Sequence, residues 1–181
     1  HEAGHFIGVD ISTKYDAGYF SIQGRPIWPL IYVEEFRADL GGFQFAKELL
    51  SELGCAEVIL YNFLLRLGVA REGARKEFDA YGEIPYLLFH LLITEGFLRP
   101  VMENGVEKLR FPNLSIESLL GMGETCSNHA NRYFNENEKS ARKIDGRVAI
   151  NSLSYFRDRL CDLEIRELYN KHLTGYTATA N

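Results

Sequence analysis

A mostly helical fold carrying one small β-hairpin is what this sequence predicts, on three observations. Apolar residues recur at helical spacing over long stretches that start and stop at Pro, Gly or polar residues. Asn104-Gly105, the strongest short turn signal, stands between two strand-like runs. Hydrophobic residues make up 46% and charged residues 25% of the 181, so the chain has apolar material for one core and no signature of disorder.

The elements follow in order. Residues 1–8 read as the tail of a helix that began upstream. Residues 9–33, rich in Gly, Pro and aromatics, read as loop with a short strand. Residues 34–53 form a strong helix that Gly54 ends. Residues 56–67 are apolar and helical, and a polar stretch with Arg71, Arg75 and Lys76 follows. Residues 84–94 make a buried helix, opened by Pro85 in its first turn and stopped near Gly96. Residues 97–111 form the hairpin. Two more helices, 115–134 and 152–173, flank a charged loop at 139–146, and the tail from Thr174 is polar.

Composition narrows the function. A net charge of −5 argues against a general nucleic-acid binder. No apolar run reaches membrane-spanning length; the longest covers 86–93. Cys55, Cys126 and Cys161 are far apart and form no C-x-x-C pair, which reads as reduced thiols in a cytoplasmic protein. The chain opens at His1 inside a motif, with no initiator methionine and no signal peptide. It therefore reads as a single truncated domain of a longer protein, with metal-site helices over 1–53 and a helical remainder over 54–181. The sequence specifies no oligomeric state.

The motif is His1-Glu2-Ala3-Gly4-His5, an H-E-x-x-H. On a helix, residues four apart share a face, so both imidazoles can meet one zinc ion. Glu2 lies beside that face, placed to act as general base on the attacking water. A catalytic zinc site needs a third protein ligand, and Glu35 can supply it from a second helix. Asp39, one turn on from Glu35, can accept the spare N–H of a ligating histidine and so fix its tautomer. Glu34 is the weaker candidate, because Ala38 stands four residues after it. Without a metal, Glu34 and Glu35 would simply be an acidic helix start that favours the dipole.

Here the chain resembles dipeptidyl peptidase III and its relatives among the gluzincin peptidases. That family pairs a histidine–glutamate zinc motif with an E-E-x-R-A-E or E-E-x-x-A-D helix, followed by glycine. This chain reads Glu34-Glu35-Phe36-Arg37-Ala38-Asp39-Leu40-Gly41-Gly42. Dipeptidyl peptidase III itself has one extra residue in its histidine motif, so the resemblance is to its plain-motif relatives. A fainter likeness runs from Tyr86 through His90 to Gly96, similar to the family's later apolar helix. The resemblance implies zincin-like catalytic helices plus a helical C-terminal part, a zinc cofactor, and hydrolysis of peptide bonds in short peptides. Aligned without gaps back from Gly96, Tyr81 falls where the family places a substrate-facing histidine, which implies a phenol donor for the developing oxyanion.

Other residues read more plainly. His90 is a core histidine within an apolar helix; His129 and His172 are structural or surface residues. Arg37 either clamps a substrate carboxylate or pairs with an acidic neighbour. Three alternatives compete with the peptidase. Glu2-x-x-His5 is half of a helical di-iron site, but the second E-x-x-H is missing. Residues 84–111 could belong to a winged-helix binding module, with Arg99, Lys108 and Arg110 facing phosphate. A peptidase-like domain that keeps zinc but has lost turnover is the third.

Overall fold

In the computed structural model, residues 4–5, 21–22, 25–26, 28–73, 80–135, 158–159 and 161–174 are described. Strands β1 (Ser21–Ile22) and β2 (Arg25–Pro26) pair antiparallel. Helices α1 (Trp28–Leu49), α2 (Glu52–Gly73) and α3 (Ala80–Thr94) follow, then strands β3 (Arg99–Glu103) and β4 (Val106–Arg110). Helix α4 (Ile116–Asn135), the short helix α5 (Leu163–Tyr169) and a π-helical turn (Asn170–Thr174) complete them. The fold is mostly helical with small antiparallel sheets, as the apolar spacing and Asn104-Gly105 predict.

Helices α1 to α4 pack around one core: α1 against α4, α3 and α2, and α2 against α3 and α4. Every residue from Ile84 to Leu92 is buried, so α3 is apolar on all sides and forms the centre. Phe36, Leu40 and Phe43 of α1, Ile59 and Phe63 of α2, and Leu119 and Met122 of α4 close around it. Phe43 and Phe63 meet edge-to-face at 5.3 Å. Helix α5 seals the far side of α3, where the Tyr86 hydroxyl donates to the Arg159 carbonyl at 2.7 Å and Arg166 lies over the Tyr86 ring.

The hairpin matches its sequence signal. Asn104 and Gly105 have φ of 53° and 77°, the left-handed pair that a two-residue turn requires. Gly96, at φ 74°, ends α3, and its N–H returns to the Ile93 carbonyl. Ser115 caps α4, accepting from the Ser118 N–H at 3.2 Å.

Several boundaries differ from expectation. Helix α1 begins at Trp28, six residues early, because Pro29 sits in its first turn, where proline is welcome. The chain breaks at Leu50–Ser51 and not at Gly54. There Ser51 caps α2: its hydroxyl accepts from the Gly54 N–H at 3.2 Å, so the glycine opens a helix and does not close one. Helix α2 then runs on past Leu67 to Gly73, taking in Arg71 of the polar stretch; Arg75 and Lys76 lie outside the described residues. Pro85 lies in the interior of α3, five residues after Ala80, so the Tyr81 carbonyl lacks its usual helical donor. The single helix expected over 152–173 is interrupted by Cys161 and Asp162; the Asp162 carboxylate accepts from the Ile165 N–H and starts α5 afresh. The loop at 139–146 and the tail after Thr174 lie outside the described residues.

Candidate metal centre

Glu35, Ala38 and Asp39 stand at i, i+3 and i+4, and so share one face of α1. The segment holding Gly4 and His5 lies across that face in a 3₁₀ turn. His5 Nε2 is 4.0 Å from Glu35 Oε1, and each side chain is 19% exposed, so the pair is sheltered but reachable from solvent.

Two contacts bring the segment this close. A Cβ on Gly4 would stand 1.8 Å from the Ala38 carbonyl oxygen, so backbone meets backbone and only glycine fits. Ala38 itself is fully buried. The buried guanidinium of Arg37 donates to the carbonyl oxygens of Gly4 and His5, both at 3.1 Å. Its fork grips the backbone of the histidine motif, a role beyond the two anticipated for Arg37. On the same helix Asp39 is 4% exposed, and its Oδ1 accepts from Arg66 of α2 at 2.5 Å.

His5 and Glu35 carry donor atoms of the kinds that zinc takes. Imidazole nitrogen and carboxylate oxygen are its ordinary donors, and tetrahedral ligands at about 2.1 Å stand about 3.4 Å apart. The observed 4.0 Å needs a side-chain adjustment of a few tenths of an ångström to reach that spacing. Among the described residues no group of three or more His, Cys, Asp or Glu could hold a metal. The remaining expected ligand, His1, and the expected base, Glu2, lie outside them. Tyr81 is in the first turn of α3, which packs against α1; its side chain lies outside the described residues.

Arg66 and Gly4 are the residues that sequence reading missed. Arg66 is the one charge in Phe63-Leu64-Leu65-Arg66-Leu67, and a lone arginine in an apolar helical run signals a buried partner. Gly4 occupies a free position of the motif, where no residue type was demanded.

The remaining polar groups have other employment. His90 is buried, and its Nε2 meets Asp162 Oδ2 at 3.1 Å; burial holds its pKa below the ordinary histidine value despite that carboxylate. His129 faces Glu95 at 3.1 Å and His172 faces Glu107 at 2.9 Å. On the hairpin, Arg110 and Lys108 both pair with Glu103, whose pKa they pull down to about 2. Two of the three cations that a winged-helix reading would turn towards phosphate are thus occupied internally. All three cysteines are free thiols. A cavity of about 300 Å³ lies between α1, α2 and α4, walled by Phe43, Cys55, Ile59 and Leu120, but none of the site residues lines it. No helix among the described residues is long and apolar enough to cross a membrane.

Compared with known protein families, with curated proteins and with solved structures, the chain has no match.

Proposed function

We propose that the chain carries the zinc site of a gluzincin-type metallopeptidase, with zincin-like catalytic helices, acting on peptide bonds in short peptides. The observation that supports it most is the convergence of His5 and Glu35, thirty residues apart in sequence, on one sheltered spot. His1, His5 and Glu35 would hold the metal. Bound there, zinc supplies a Lewis acid that polarises the scissile carbonyl and lowers the pKa of water. Glu2 takes the proton from the attacking water and delivers it to the leaving amine. Asp39, fixed by Arg66, would steady a ligating imidazole. The phenol of Tyr81 would donate to the oxyanion. The second reading, a zinc-binding domain of the same design without turnover, shares every one of these residues and differs only in activity.

Metal analysis tests the reading. The full-length protein should hold one zinc per chain, lose hydrolysis of a short fluorogenic peptide on dialysis against 1,10-phenanthroline, and recover it with added zinc. Full hydrolysis after the metal has been stripped would sink the proposal, whereas zinc without hydrolysis would select the inactive domain.

Tyr81→Phe separates the oxyanion role from a packing role. Losing one such donor should lower kcat by roughly 10²–10³ with zinc content unchanged. A ring that only packs gives almost no kinetic change.

A further inference from the structure

We infer that Arg37 and Gly4 are the positioning device that sets His5 opposite Glu35; the inference rests on the metal site proposed above. Arg37 is 2% exposed, and burying a guanidinium is among the costliest things a fold does. Its Nη1 and Nη2 donate to two successive carbonyl oxygens, those of Gly4 and His5, at 3.1 Å each. A planar fork on adjacent carbonyls fixes where the peptide lies and which way it faces, which a flexible ammonium cannot do.

Gly4 supplies the second constraint. A Cβ there would meet the oxygen, carbonyl carbon and Cα of Ala38 at 1.8, 2.6 and 2.9 Å, all backbone atoms that cannot swing aside. The histidine segment is therefore pressed onto the Glu35 helix at Ala38 and gripped from the same helix at Arg37. Both His5 and Glu35 then take their positions from one rigid element. That matters for a metal, because donors misplaced by more than a few tenths of an ångström lose affinity. The two residues flanking Ala38 have divided the work: Arg37 holds the segment's backbone, while Asp39 meets Arg66 of α2.

The test compares Arg37→Met, Arg37→Lys and Gly4→Ala in the full-length protein. Zinc affinity is measured by competition with a chromophoric chelator, and the cobalt(II)-substituted proteins are compared by their d–d absorption, which reports ligand geometry directly. Arg37→Met and Gly4→Ala should each weaken zinc binding by roughly 10–100-fold, the usual cost of losing a group that orients a ligand. Both should also alter the cobalt band in the same sense. Arg37→Lys should recover part of the affinity, keeping the charge and one carbonyl bond. Gly4→Ala changes no charge, so a shared cobalt signature traces to displaced His5 and not to a lost cation; it also decides the matter if Arg37→Met does not fold. Wild-type affinity and cobalt spectrum in Gly4→Ala would overturn the inference while leaving the metal site in place. A wild-type protein that binds no zinc would overturn the site reading, and this inference with it.

Discussion

Glu2→Gln should leave zinc bound and lower kcat for peptide hydrolysis by roughly 10²–10⁴, the range that a positioned general base contributes. Glutamine keeps the shape and size of glutamate but its amide cannot take a proton. Glu2 is not among the three proposed ligands, so metal content should stay at one zinc per chain. Glu35→Ala is the matching control, since removing one of three protein ligands should empty the site and abolish turnover together. The two variants therefore separate chemistry from binding, and the Glu2→Gln pattern, zinc retained with turnover lost, is one that unfolding does not reproduce. Turnover left intact in Glu2→Gln would assign the base elsewhere.

What the sequence made legible was whatever depends on local chemistry. Asn104-Gly105 specifies its turn because only residues tolerant of positive φ fit there, and both are found in that region. The Glu35–Asp39 spacing places two carboxylates on one helix face whatever surrounds them. Legibility failed where the same residue has two uses. Pro29 and Pro85 are both compatible with helix, one in a first turn and one in an interior that tertiary packing enforces, so neither marked its boundary correctly. Gly54 looks like a stop, yet Ser51 three residues earlier makes it part of a start. At the site, Arg37 sits in the motif in plain view. Two of its partners, however, are backbone carbonyls 33 and 32 residues away, and a carbonyl leaves no trace in the letters. Gly4 was silent for a related reason, because its contact is with the main chain of Ala38.

Arg66→Met should destabilise the fold by about 3 kcal/mol, the lower part of the range for breaking a buried ion pair from one side. Asp39 is 4% exposed and Arg66 18%, and they meet at 2.5 Å, so the pair lies away from bulk water and is little screened. Methionine fills much of the arginine stem's volume, so the packing of α2 is retained and the loss reports the charge. What remains is a carboxylate deprived of that cation in a dry setting, which costs more than the pair was worth when intact. The lower part of the range applies because Arg66 Nε is enclosed with no partner among the described residues, so the native pair carries a penalty that the variant removes. Asp39→Asn should cost less, since the amide oxygen still accepts from the guanidinium but without the opposite charge. Urea unfolding followed by circular dichroism measures both. With total stabilities of about 5–15 kcal/mol, a loss of that size moves the midpoint plainly. An unchanged midpoint in Arg66→Met would show that apolar packing alone joins α1 to α2 beside Glu35, and that Asp39 is held in place by something other than Arg66.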